Sequence, residues 1–220
     1  MYIFVTGSDT DVGKSYVSKG ICAELIKNNE TTGYLKPFQS GIINNIPLDA
    51  ETVGSAGKIQ AVSSYITKTP STPLISAEID GVEYDLNKVA SDFDKLKKEN
   101  RNVIVEGSGG IYVPVKKGVL MIDVIKKLNI PALVVIRPDL GTINHALMTV
   151  DCLINNNIKV LGIVISNYPE KTTDPVITRA KEMIEMFSGE IKVLDIIKQN
   201  QKDFSLLTSK IIENLAMKAY

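Results

Sequence analysis

The sequence predicts an α/β fold: a mostly parallel sheet with helices on both faces, in three layers. Two observations predict it. Short apolar runs alternate with amphipathic stretches along the chain, and most of those runs are apolar nearly throughout instead of at every second residue. Strands covered on both faces of a parallel sheet read this way. The stretches between them carry apolar stripes at helical spacing. Alternating strands and helices build such a domain with right-handed crossovers.

The predicted strands are residues 2–6 (YIFVT), 32–36 (TGYLK), 102–106 (NVIVE), 132–137 (ALVVIR), 160–166 (VLGIVIS) and 191–194 (IKVL). Val17, Ile21, Cys22, Leu25 and Ile26 mark one helical stripe; Ile143, Ala146, Leu147, Val150, Leu153 and Ile154 mark another. Asp174-Pro175 reads as a cap with proline at the first helical position, and Gly189 stands near that helix's end. No repeat, low-complexity tract or linker-like shift interrupts the 220 residues, so one domain over 1–220 is expected.

Composition narrows the function classes. Lys plus Arg and Asp plus Glu both number 25, which weighs against a nucleic-acid partner, since such binders more often carry a basic excess. No signal peptide and no apolar run long enough to cross a bilayer are found, so no membrane partner is expected. Cys22 and Cys152 lie in helical patterns at neither disulfide nor zinc spacing, consistent with core residues in a reducing cytoplasmic setting.

In an open α/β sheet, ligands sit beyond the carboxyl ends of the strands. The first strand runs there into "FVTGSDTDVGKSY", residues 4–16. Gly13-Lys14-Ser15 supplies the second half of a phosphate-binding loop, G-x-x-x-x-G-K-[ST], but Ser8 holds the first glycine's place and Gly7 comes one residue early. Strand, loop and helix in this order form an anion cradle: inward backbone N–H groups, the positive helix end and Lys14. Ser15 offers an oxygen to a phosphate-bound Mg²⁺. The fold class is therefore narrowed to the P-loop NTPase type.

The second strand ends in "LKPFQSG". Lys36 either projects into the crevice beside the phosphates or snorkels to solvent. Ser40-Gly41 is a polar turn able to bind a substrate group. Asp49 opens the next helical segment, where it can reach the metal or cap the helix. The third run, "VIVEGSGGIYVPV", places Glu106 at a strand end before Gly107, Gly109 and Gly110. A carboxylate there can hold Mg²⁺ opposite Ser15, and the glycines admit close backbone approach. In "RPDLGTINHALM", the helix start at Gly141-Thr142, with Asn144, can hold an anion such as a carboxylate. His145, the single histidine, is expected to position or pack instead of acting as a base.

Taken together and in this order, "VTGSDTDVGKS", "LKPFQSG", "VIVEGSGG" and "DLGTINHAL" resemble the dethiobiotin synthetase family of the biotin pathway, from the N-terminus to about residue 167. That family's loop, G-T-D-T-x-V-G-K-T, has the longer glycine spacing seen here. The resemblance implies ATP- and Mg²⁺-dependent joining of CO₂ (or bicarbonate) to 7,8-diaminononanoate, with closure of a cyclic urea and release of ADP and phosphate. It implies catalytic roles for Lys14 and Lys36, and magnesium ligands Ser15, Asp49 and Glu106. The nucleotide would meet Asp11, Val12, Gly13, Lys14, Ser15, Tyr16, Asp49, Glu106, Gly107, Ser108, Gly109 and the pair Ser166 and Asn167. The substrate would meet Thr10, Lys36 and Ser40. Its carboxylate would lie on Gly141, Thr142 and Asn144 of a neighbouring subunit, which makes the expected assembly a homodimer with shared sites.

Two departures stand out. The family's adenine-reading asparagine falls on Ser166 by direct count, with Asn167 next, and "VLDIIKQ" replaces its G-x-I-P segment. A rival class is the regulatory or partitioning ATPase of the same fold, but its signature lysine would stand at Asp9. Membrane-targeting members of that class tend to end in a basic amphipathic helix. The tail from Asp203, with Leu206, Leu207, Ile211, Ile212 and Leu215 and few lysines, reads as a packed helix. Another ATP-dependent amide- or carbamate-forming ligase is the third reading.

Overall fold

A computed structural model describes residues 1–42 and 48–217. In chain order the elements are β1 (Tyr2–Gly7), α1 (Lys14–Lys27), β2 (Thr32–Ser40), α2 (Leu48–Gly54), β3 (Gln60–Thr67), α3 (Pro73–Asp80), α4 (Leu86–Glu99), β4 (Asn102–Gly110), β5 (Pro114–Lys116), β6 (Val119–Leu120) and α5 (Met121–Leu128). Then follow β7 (Ala132–Ile136), α6 (Thr142–Asn155), β8 (Val160–Tyr168), α7 (Pro175–Thr178), α8 (Ala180–Phe187), β9 (Val193–Lys198) and α9 (Ser205–Ala216). Seven strands form one sheet in the order β3-β2-β4-β1-β7-β8-β9, and every neighbouring pair is parallel. The short β5 and β6 pair antiparallel apart from it.

Alternation along the strands explains the three layers. On β1, Ile3 and Val5 pack with α1, α2 and α9, whereas Phe4 turns to the other face. That other face is filled from α4, α5, α6 and α8 by Phe93, Ile125, Val150 and Ile184, among others. The expected α1 stripe is buried at Val17, Ile21, Cys22 and Leu25. On α6, Ala146, Val150 and Leu153 are buried, but Ile154 lies at the stripe's margin and is half exposed. Asp174 caps α7 by accepting a hydrogen bond from the Val176 N–H, and Gly189 takes the left-handed conformation just past α8. The tail packs through Leu207 and Ile211, while Leu206 and Ile212 face outward; residues 218–220 lie outside the described residues.

β8 runs two residues past its expected end, to Tyr168, and β9 lies at Val193–Lys198 where 191–194 was expected; three further strand expectations change. β3 was absent from them because it is an edge strand with mostly half-exposed, partly polar residues, not an apolar run. β2 continues through Pro37 to Ser40, and β4 continues through its glycines to Gly110. Proline is tolerated in β2 because pairing with β4 ends at Leu35↔Val105, and the β3 ladder passes from Lys36↔Ser63 to Phe38↔Tyr65 without using Pro37. Lys36 and Glu106 therefore sit inside strands, not at their ends. Past Leu35, β2 and β4 part, and the two side chains meet in the opening.

Candidate active site

The loop after β1 folds as a cradle because its backbone takes two left-handed turns, at Asp11 (φ 56°) and Gly13 (φ 94°). Gly13 is the N-cap of α1, and its carbonyl accepts from the Val17 N–H at 3.0 Å. A side chain could not replace its hydrogen: a Cβ there would lie 2.4 Å from Ser166 Oγ. Lys14 is buried and curls back so that Nζ donates to the Asp9 carbonyl at 2.8 Å. Burial first, and the Lys36 ammonium second, depress its pKa to about 8.

Ser15, one residue on, faces two carboxylates. Its Oγ is 3.0 Å from Asp49 Oδ1 and 2.7 Å from Glu106 Oε1, and can donate to either. Asp49 sits in the first turn of α2, whose Asp49 N–H is anchored by the side-chain carbonyl of buried Gln39. Its carboxylate turns into the site. Lys36 Nζ lies between the same two acids, 2.7 Å from Asp49 Oδ2 and 2.9 Å from Glu106 Oε1, and it also donates to the Gly107 carbonyl. Burial would lower the Lys36 pKa, but Glu106 and Asp49 outweigh it and hold the ammonium above its ordinary value. Burial likewise works to raise Asp49, and Lys36 and Ser15 outweigh it, holding the carboxyl below the usual range. The Glu106 carboxylate is fully buried and also accepts from Tyr34 Oη at Oε2. Burial, then Glu106, push that phenol well above its ordinary value, so it stays protonated.

The glycines after Glu106 serve the chain's own packing. A Cβ on Gly107 would stand 2.8 Å from the Phe4 ring, and Gly110 lies against the Gly7 and Ser8 carbonyls. Gly109 (φ 63°) would meet Val113. They let β4 slide under the phosphate loop. Ser108 Oγ donates to the Phe38 carbonyl at 2.7 Å, tying β4 to β2 across the opening.

These residues line one cavity of about 950 Å³: Thr10, Asp11, Gly13, Lys14, Ser15, Tyr16, Lys36, Ser40, Asp49, Glu106, Ser108 and Gly109 all border it. The Ser40 hydroxyl is buried without a partner among the described residues. Val12 is core instead, Gly107 is covered, and neither borders the cavity. Ser166 is buried behind Gly13 with no partner for Oγ among the described residues, whereas Asn167 is exposed in the left-handed conformation (φ 56°). Gly141, Thr142 and Asn144 are not brought to this cavity. They form the start of α6, where Gly141 (φ 93°) is the N-cap and buried Thr142 Oγ1 lacks a partner among the described residues. His145 lies exposed, contrary to a packing role.

Sequence reasoning missed one wall, made by Lys68, Pro70, Ser71, Thr72 and Pro73. The run "KTPSTP" at the carboxyl end of a strand was the available signal, but it required β3 to be recognised.

Two carboxylates and a hydroxyl form a hard-oxygen donor set of the kind Mg²⁺ takes together with phosphate oxygens and water. No group of three or more His, Cys, Asp or Glu side chains suited to a metal occurs among the described residues.

Comparison with known proteins identifies the family. Residues 2–202 match the AAA domain family. The chain is 38% identical to the ATP-dependent dethiobiotin synthetase BioD of Methanococcus vannielii, over 95% of this chain and 98% of that protein. It is 39% identical to that of Methanococcus aeolicus, over 96% and 99%. A solved structure, the hydrogenase maturation factor HypB of Archaeoglobus fulgidus, superposes with a TM-score of 0.61 at 14% identity, covering 98% of this chain and 90% of that one, a likeness of fold alone. With relatives this similar along nearly their whole length, the chain belongs to the ATP-dependent dethiobiotin synthetase family.

Proposed function

We propose that this protein converts 7,8-diaminononanoate, CO₂ and ATP to dethiobiotin, ADP and phosphate. One observation carries the reading: Lys14, Lys36, Ser15, Asp49 and Glu106 converge on a single cavity at the rim of the sheet. The chemistry needs that convergence. One amine adds to CO₂ with loss of a proton, forming the N–C bond of a carbamate. A carbamate oxygen then attacks the γ-phosphorus while the bond to the ADP oxygen breaks. The second amine attacks the carbonyl carbon of this mixed anhydride, phosphate leaves, and the ring closes as that amine gives up one proton.

Two anions must therefore meet, and cationic charge between them lowers the barrier. Lys14 serves the phosphates. Lys36, held charged between its two acids, orients the carbamate and the transferring group. Thr10 and Ser40 contact the substrate, and the free Ser40 hydroxyl supports this. Ser15, Asp49 and Glu106 would hold Mg²⁺, which when bound neutralises phosphate charge. Asp11, Gly13, Tyr16, Ser108 and Gly109 border the nucleotide, with Val12 and Gly107 shaping the backbone behind it. Ser166 is occupied with packing against Gly13, so Asn167 offers its amide to the base.

We assign the second half of the substrate site to another copy of the chain. The start of α6 has a buried Thr142 hydroxyl with no partner among the described residues, at a helix N-terminus that favours anions, yet lies away from its own cavity. Leu140 just before it and Met148 on α6 are 88% and 61% exposed, an apolar surface that a homodimer would cover. There Gly141, Thr142 and Asn144 would receive the substrate carboxylate. We take residues 1–220 as one catalytic domain. Free thiols at Cys22 and Cys152 are compatible with the cytoplasmic setting we propose.

Purified protein with diaminononanoate, bicarbonate and MgATP should release phosphate only when the diamine is present, with dethiobiotin formed in equal amount. Phosphate release indifferent to the diamine would replace this reading by a switch ATPase. Release dependent on another amine would point to a related ligase.

A further inference from the structure

Tyr34 is a large, fully buried side chain whose hydroxyl reaches the site without bordering its cavity. It lies two residues before Lys36 on β2, so both side chains leave the same face of the sheet. Tyr34 pairs in register with Ile104, two residues before Glu106 on β4. The sequence thus places a phenol directly beneath the carboxylate. Its Oη donates to Glu106 Oε2 at 3.0 Å, and both side chains are fully buried. The two carboxylate oxygens have different partners: Oε1 faces Ser15 Oγ and Lys36 Nζ, while Oε2 is met by Tyr34 alone among the described residues.

A carboxylate turns easily about its last torsion, and turning this one would break the Tyr34 bond inside the core. Breaking it strands a buried acceptor, which is costly. The phenyl ring, packed among Ile3, Ile21 and Ile104 in the α1-side core, cannot follow. The hydroxyl therefore latches the carboxylate plane with Oε1 toward the phosphate loop.

We propose that Tyr34 is a positioning residue that orients Glu106 for the metal ion. The inference rests on the reading of Glu106 as a magnesium ligand. Outer partners of this kind typically change metal affinity by roughly ten- to a hundredfold, while the ring alone suffices for packing.

The test is calorimetric titration of ADP into the full-length protein at stepped Mg²⁺ concentrations, for wild type and Tyr34→Phe. Expected is an increase of about tenfold in the Mg²⁺ concentration that half-maximally tightens ADP binding. ADP affinity in EDTA should stay within about twofold, because no nucleotide contact is lost. In a Glu106→Gln background the same Tyr34 substitution should have no further effect on Mg²⁺ dependence. A Tyr34→Phe protein with wild-type Mg²⁺ dependence, or one that loses ADP affinity equally with and without Mg²⁺, overturns the inference and leaves the metal reading standing. Wild-type protein whose ADP affinity ignores Mg²⁺ overturns the metal reading itself, and this inference with it. Should Tyr34→Phe fail to fold, the wild type still decides: the proton signal of its buried phenol should shift when Mg²⁺ joins ADP, and an unmoved signal overturns the inference.

Discussion

The cluster between β2 and β4 and the start of α6 are both polar ends of the same sheet, and they are built in opposite ways. In the first, each charge has an answering charge within 3 Å: Lys36 touches Asp49 at 2.7 Å and Glu106 at 2.9 Å. In the second, the Thr142 hydroxyl is buried without a partner among the described residues, and Met148 and Leu140 stand largely in solvent. A satisfied buried cluster is complete within one chain. An end with orphaned polar groups and bare apolar side chains calls for something outside the chain.

Breaking the first region should have the largest effect. Lys36→Ala removes the group placed between the reacting anions, and turnover should fall by roughly 10²–10³-fold. It also leaves the buried Glu106 carboxylate unpaired beside the part-buried Asp49, at a cost of about 3–5 kcal/mol. Both the rate and the denaturant midpoint should therefore drop; an unchanged midpoint would mean the ion pair is loose in solution. At the second region, Met148→Glu should leave stability within about 0.5 kcal/mol, as for a surface change. It should nonetheless yield a monomer in sedimentation, with diamine KM raised about tenfold or more, the factor that about 1.4 kcal/mol of lost binding represents. A variant still dimeric would move the interface elsewhere.

The remaining two effects are smaller. Nucleotide phosphates need the charged form of Lys14, whose pKa is about 8. ADP affinity should hold steady below that pH and then fall about tenfold per unit above it. Stability runs the other way for this group: between about 8 and its unfolded value of 10.5 the unfolded chain holds the extra proton, so folding gains as pH rises. Calorimetry and thermal melts across roughly pH 7–11, which brackets both values, separate the two. Last, Asn167→Ala should weaken ATP binding by about tenfold, the worth of one hydrogen bond to the base. Ser166→Ala, which removes a hydroxyl with no described partner, should change it by less than about twofold. The reverse ranking would return base reading to Ser166.

Much of the fold was legible because fully covered strands announce themselves. YIFVT and NVIVE are apolar almost throughout, and each proved to be an inner strand. QAVSSYIT, the β3 edge, mixes polar and apolar residues with only two positions buried; without it, the Lys68–Pro73 wall beyond its end had no place. Lys14, Ser15, Lys36, Asp49 and Glu106 could be read from motif and spacing. That Lys36 is clasped by two acids could not, because the parting of β2 from β4 after Leu35 is a property of register. Nor could the occupation of Ser166, which follows from the closeness of β8 to Gly13.

One remote feature bears on the phosphate loop. The Tyr16 hydroxyl donates to the Gln201 carbonyl, and Gly20, one turn along α1, leaves just enough room for the Phe204 ring, which a methyl group there would meet at 2.4 Å. The helix that carries the cradle is thus braced from behind by the tail of the chain. Fraying of α9 should loosen grip on the nucleotide at a distance, and occupancy of the cradle should in turn shield the tail from proteases.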